Sequence, residues 1–118
     1  VDEKMKQTES IKKNNDFQIV YRNGKSYANK YLIMYVKRNE TEKNRLGISV
    51  SKKVGNSVVR HRVTRLIRES YRLSENKFQR GLDLIVVARA SAKGKDYKEI
   101  ESALFHLSGL HKIMDENK

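Results

Sequence analysis

Seven cations and one carboxylate fall between residues 52 and 72: Lys52, Lys53, Arg60, Arg62, Arg65, Arg68 and Arg72 against Glu69 alone. Five of the seven are arginine, whose planar guanidinium fork makes bidentate contacts to phosphate oxygens and guanine edges. The chemistry such a row supports is recognition of a polyanion rather than bond making. An ordinary solvated helix intersperses acids with bases at i,i+4; this row repels itself unless an anion lies along it. Gly55-Asn56-Ser57 immediately upstream supplies a flexible turn with N-cap candidates. The N–H groups and positive dipole end of a helix starting there suit a phosphate, helped by Lys52 and Lys53.

The row needs a helix to present it. Wound at roughly 100° per residue, Ser57 to Leu73 places Val59, Val63, Leu66, Ile67, Ser70, Tyr71 and Leu73 on one stripe. Arg60, His61, Thr64, Arg65, Arg68 and Arg72 fill the opposite arc, with Arg62 at its margin. One face packs on a core and the other offers guanidinium groups. A membrane-surface role fits poorly, because the apolar side is β-branched and has no Trp or Phe anchor.

A second surface lies upstream. The run Tyr27 to Val36 is rich in strand formers. Strand alternation puts Tyr27, Tyr31, Ile33, Tyr35 and Lys37 on one face and Leu32, Met34 and Val36 on the other. Aromatic rings mixed with cations suit stacking of single-stranded bases beside a held backbone, although Tyr is also common on half-buried strands. Charge counting separates the two surfaces: of a formal net charge of +12, residues 17–38 contribute +5 and residues 52–72 contribute +6.

The remaining elements follow from periodicity. Asn14-Asn15-Asp16 and Asn23-Gly24 bracket a short helix whose Phe17, Val20 and Tyr21 form an apolar stripe. Arg45 to Ser51 alternates as a strand, and the polar segment 39–44 reads as a hairpin connection from the strand before it. Leu82 to Ala88 is a near-continuous apolar run, expected of a buried central or parallel strand. Tyr97 to about Ile113 is a last helix with Tyr97, Ile100, Leu104, Leu107 and Leu110 inward. Counting a short strand around Ser26–Ala28, the order is α-β-β-β-α-β-α, a two-layer α+β sandwich. No Pro-rich linker or repeat divides the 118 residues, so one domain is expected over 1–118, ordered from about 10 to 114 with frayed ends.

Several chemistries are excluded. Without Cys there is no disulfide framework, iron–sulfur cluster or thiol nucleophile. His61 sits among arginines, and His106 and His111 are five apart, so no metal site in the protein is expected. Carboxylates are too sparse near the basic segments for a two-metal nuclease. No apolar run approaches the ~18 residues of a membrane helix and no signal-peptide core opens the chain. These readings give an expected cytoplasmic, membrane-independent protein.

With these residues in place the chain resembles the bacterial ribonuclease P protein subunit family. That family carries Gly-Asn-Ala followed by Arg-Asn-Arg-x-Lys-Arg; here the positions read Gly55-Asn56-Ser57 and Arg60-His61-Arg62-Val63-Thr64-Arg65. Ile11 to Phe17, Ser26-Tyr-Ala-Asn29 and Ile85-Val-Val-Ala-Arg89 also match, so the likeness spans about residues 10–110. His61 in place of Asn keeps a hydrogen-bonding tip, and Thr64 in place of Lys removes a cation.

The resemblance implies a ribosomal protein S5 domain 2-like fold with a left-handed crossover around the arginine helix. It implies a non-catalytic subunit of an endoribonuclease whose RNA subunit cleaves precursor tRNA with Mg²⁺. Lys52, Lys53, Asn56, Arg60, His61, Arg62, Arg65 and Arg68 would then face that RNA. Phe17, Tyr21, Ile33, Tyr35, Ala88 and Arg89 would line a cleft for the single-stranded 5′ leader. The alternative is a structural, ribosomal-type RNA-binding protein. DNA binding by a helix-turn-helix is disfavoured, because the arginine helix has no clear partner helix before it.

Overall fold

A computed structural model describes residues 5–115. The elements are β1 (Thr8–Ser10), α1 (Asn14–Asn23), β2 (Lys25–Ala28), β3 (Leu32–Arg38), β4 (Asn44–Ser49), α2 (Ser57–Arg72), β5 (Leu82–Ala88) and α3 (Tyr97–His111). The strands form one sheet in the order β1-β4-β5-β3-β2. β1 and β5 run parallel to β4, while β3 runs antiparallel to both β5 and β2. From α1 onward this is the α-β-β-β-α-β-α order expected.

β5 is the centre strand, and its apolar run is explained by burial on both sides. Leu82, Leu84, Val86 and Ala88 face α2 and α3, joining Leu32, Met34, Val63, Ile67, Tyr71, Ile100, Leu104 and Leu107 in the main core. Ile85 points the other way, into a smaller cluster with Ile11 and Val20, flanked by Phe17, Tyr21, Tyr35 and Val87. The sheet with α2 and α3 makes the two-layer body, and α1 alone covers part of the opposite sheet face.

Four expectations are corrected. The N-terminal end is not frayed from residue 8: Thr8–Ser10 adds a parallel edge strand. The buried carboxylate of Glu75 accepts the N–H groups of Lys6 and Gln7 at 3.0 and 2.9 Å, and Thr8 bonds the Tyr71 hydroxyl at 2.7 Å. These partners are over 60 residues away, so local patterning carries no trace of them. Residues 1–4 and 116–118 lie outside the described residues.

The run 27–36 is not one strand. Asn29 Oδ1 accepts from the N–H groups of Tyr31 and Leu32, an Asx-type turn that resets the alternation. Tyr27 and Tyr31 consequently pack beside the main core, while Ile33 and Tyr35 share the α1 side with Val87 and Ile85.

Segment 39–44 is not a hairpin connection, because β5 lies between β3 and β4. It crosses the start of β5, where Asn39 N–H donates to the Gly81 carbonyl. Gly81 has φ +80°, and a Cβ there would lie 2.4 Å from the Thr41 carbonyl oxygen. Only glycine suits that crossing. Finally, Leu73 and Leu110 are 58% and 42% exposed; they stand at the C-terminal ends of α2 and α3, past the buried faces of those helices.

Candidate nucleic-acid interface

α2 begins where the sequence pattern placed it. The Asn56 side chain accepts the Val59 N–H at 3.0 Å and serves as N-cap. A Cβ on Gly55 would lie 2.7 Å from the Val59 side chain, so the turn into the helix is tight. Lys52 and Lys53 are exposed in the β4–α2 turn, which Val54 N–H closes onto the Ser51 carbonyl. Val63, Ile67, Ser70 and Tyr71 anchor the helix, and His61, Arg62 and Arg65 are exposed on its outer side, with Arg68 half-buried.

The outer side is a shallow trough of about 530 Å³ lined by Val58, His61, Arg62, Arg65, Leu66, Glu69 and Arg72. Its one carboxylate is committed: Arg72 Nε donates to Glu69 at 3.0 Å and Arg72 Nη2 makes a second bond. Arg72 thereby holds the Glu69 carboxyl below the usual carboxylate range. Val58, 76% exposed, and Leu66 give the trough an apolar floor between cations. Sequence patterning assigned Leu66 to the core stripe and left Val58 unassigned.

Arg60 is not on the outer arc. It precedes Ile67 by two turns and so lies over the same flank, half-buried. Its Nε is shut off from solvent and is, among the described residues, the buried side-chain polar atom left without a hydrogen-bond partner. Such a donor is costly to leave unpaired and gains from any anion that reaches it.

On the opposite sheet face α1 stands against β3, β4 and β5. Phe17 and Tyr21 rings are 6.1 Å apart, and Tyr21 meets Tyr35 edge-on at 4.9 Å. The Phe17 ring lies directly over Gly47, where a Cβ would be 2.8 Å from Cζ. Beside these rings a cleft of about 480 Å³ is lined by Lys12, Asn14, Phe17, Tyr21, Ile48, Ser49 and Val50. Lys52 and Lys53 follow Val50 after Ser51, in the turn between the cleft and the arginine helix.

α1 is latched to the sheet by charge. Arg45 donates to both Asp83 oxygens at 2.9 and 2.7 Å and reaches Asp16 of α1 at 3.6 Å. Burial pushes the Asp83 carboxyl up, but the hydrogen bonds from Arg45 and Asn39 and the charges of Arg45 and Lys37 outweigh it, leaving it below its ordinary value.

The structure thus brings Phe17, Tyr21, Ile33 and Tyr35 to one sheet face, but not Ala88. Ala88 pairs with Leu32 and is buried in the main core on the other side. Val87 takes its place; a run apolar on both faces does not reveal which residue points where. Arg89 is exposed at the sheet's end, its Nη1 donating to the Asn29 carbonyl at 2.9 Å. No three His, Asp or Glu side chains converge as a metal cluster among the described residues, and no described helix is long and apolar enough to cross a membrane.

Comparison with known proteins shows which family the chain is similar to. A family model described as Ribonuclease P matches residues 5–112. The ribonuclease P protein component of Lachnoclostridium phytofermentans is 63% identical, over 94% of this chain and 96% of the relative. That of Alkaliphilus metalliredigens is 55% identical, over 87% and 93%. Among solved structures, the Staphylococcus aureus RNase P protein superposes with a TM-score of 0.83 at 40% identity, over 90% of this chain and 97% of that one. The Thermotoga maritima RNase P protein gives 0.76 at 28%, over 84% and 94%. With the match running from the β1 end to the end of α3, the chain belongs to the ribonuclease P protein family.

Proposed function

We propose that this chain is the subunit of ribonuclease P that holds the catalytic RNA on one face and the 5′ leader of precursor tRNA on the other, promoting endonucleolytic removal of the leader to give mature tRNA 5′ ends. The observation that carries the reading is the placement of the two surfaces on opposite sides of β5. The outer α2 trough offers arginine forks above an apolar floor, suited to a folded RNA's phosphates and unpaired bases. The α1 cleft offers the Phe17 and Tyr21 rings, the latter backed by Tyr35, beside Lys12, suited to a single strand. A leader seated there is tied through the sheet to the RNA bound by α2, which positions the scissile bond without any protein nucleophile.

In this reading the Mg²⁺ of the reaction is held by RNA phosphates. The protein's part is to bind and orient, and by supplying cations it lowers the Mg²⁺ needed for the RNAs to approach each other. The reaction site is then cytoplasmic, where precursor tRNA is made.

Reconstitution with a bacterial ribonuclease P RNA and precursor tRNA at low Mg²⁺ tests this. Leader cleavage rises on adding the protein, and Tyr35→Ala weakens holoenzyme affinity for precursor more than for mature tRNA. Unenhanced cleavage overturns the assignment, and equal losses for the two tRNAs overturn the cleft's role.

A further inference from the structure

A third cationic cluster lies away from both surfaces just described: charge counting placed Lys30 with residues 17–38 and hid Lys93, Lys95 and Lys98 because residues 92–118 balance. It forms where the β2–β3 turn meets the β5–α3 connection. Arg89 N–H donates to the Tyr31 carbonyl at 2.9 Å, Arg89 Nη1 to the Asn29 carbonyl, and Ser91 Oγ to the Lys30 carbonyl. These bonds fix the turn as a platform. On it the Tyr31 ring has two ammonium groups over it, Lys30 Nζ at 5.5 Å and Lys95 Nζ at 5.4 Å from the centroid. Beside the ring a recess of about 460 Å³ runs along α3, with Asn29, Ser102 and His106 in its wall.

Two acids, Asp96 and Glu99, line the recess, and the Tyr31 hydroxyl donates to Glu99 Oε2 at 3.4 Å, but the cations Lys30, Arg89, Lys93, Lys95 and Lys98 outnumber them. Asp96 and Glu99 form the α3 capping box, each accepting the other's backbone N–H, while Lys93 and Lys98 add exposed cations. The cluster is also joined to the arginine helix: Arg62 Nη1 donates to the Lys95 carbonyl at 2.9 Å. Tyr31 packs on the α2 and α3 side of the sheet, not on the cleft side.

We propose that Tyr31, Lys30 and Lys95 bind an unpaired nucleotide segment of the RNA subunit, extending the α2 contact around the end of the sheet. A base stacks on Tyr31 as one lysine swings from the ring to a flanking phosphate, and the second lysine takes the next phosphate. Charge complementarity selects RNA. The Arg62 link and the side of the sheet select the RNA subunit over the leader. The inference rests on the function proposed above.

The test measures RNA-subunit affinity against salt for the full chain, then precursor and mature tRNA affinity for the holoenzyme. Lys30→Ala/Lys95→Ala removes two phosphate contacts, and the log–log salt slope falls by ~1.4 at about 0.7 per single-strand phosphate, with the precursor-to-mature ratio unchanged. Tyr31→Leu weakens the RNA subunit roughly fivefold or more at unchanged slope. If the lysine pair leaves the slope unchanged while Arg65→Ala lowers it, this site is refuted and the function stands. Should neither variant lower the slope, both fall. A loss confined to precursor tRNA also overturns the proposal, by giving the cluster to the substrate.

Discussion

Replacing Gly47 with Ala probes the α1 cleft through one methyl group. The new Cβ would lie 2.8 and 2.9 Å from Phe17 Cζ and Cε1 and 3.3 Å from Ile11 Cβ. Carbon atoms rest at about 3.5–4.0 Å, so the ring must retreat by roughly 0.7–1.2 Å. It cannot swing freely, because Tyr21 stands on one side and the α1 backbone carries it. Gly47 is a strand residue without positive φ, so alanine costs nothing in backbone strain and gains ~0.4–1 kcal/mol from a less flexible unfolded chain. Overpacking costs ~1–3 kcal/mol. The expected net is a loss of about 0.5–2 kcal/mol in urea unfolding. Precursor tRNA affinity weakens with it, because the displaced ring enters the cleft. The double variant Phe17→Leu/Gly47→Ala has a smaller side chain above the methyl, so the cost of Gly47→Ala shrinks by at least half in that background. A cost that stays the same, or a Gly47→Ala protein more stable than its parent, refutes the contact as the cause.

Two further predictions concern charge. Arg45→Met leaves Asp83 a buried carboxylate with only Asn39 as side-chain partner, costing ~3 kcal/mol at neutral pH, the low end for such pairs because Arg45 is a third exposed. With its folded pKa depressed, Asp83 contributes stability that is present above ~4 and lost as pH falls through the lower folded value; acid unfolding of the variant lacks that component. His111, held against Tyr27 with Nε2 2.9 Å from the Met34 carbonyl oxygen, has its pKa lowered chiefly by burial and also by Lys25. The unfolded chain therefore binds this proton more readily. Stability falls as pH drops below ~6.5, and His111→Gln removes that slope between pH 7 and 5.5.

Elements with a strong local period were legible in the sequence. α2 was bounded to within a residue by Asn56 and the spacing of Val63, Ile67 and Tyr71, and β5 announced its central position through its unbroken apolar run. What escaped depended on distant partners. β1 is polar and exists because Glu75 and Tyr71 receive it. The split at Asn29 rests on a side chain bonding two N–H groups, which moved Tyr27 and Tyr31 to the other side of the sheet. Arg60 was misplaced because a wheel centred on the apolar stripe treats every arginine as outward, whereas this one lies along the buried flank. Ala88 and Val87 could be told apart only once register was known.

The position of β5 has a consequence for how the chain is made. β3 and β4 never touch as a pair; their outer edges take β2 and β1, and their inner edges are filled only when residues 82–88 slide between them. A nascent chain that ends before residue 82 therefore carries β3 and β4 with their shared edges open and both basic segments already synthesised. Closure waits for a strand that must pair at long sequence separation, the slow and aggregation-exposed kind of folding step. The same event creates both sheet faces at once, since Leu84 and Val86 complete one core while Ile85 completes the other. The two candidate surfaces are thus completed in one late step, and a half-made chain presents neither in its finished form.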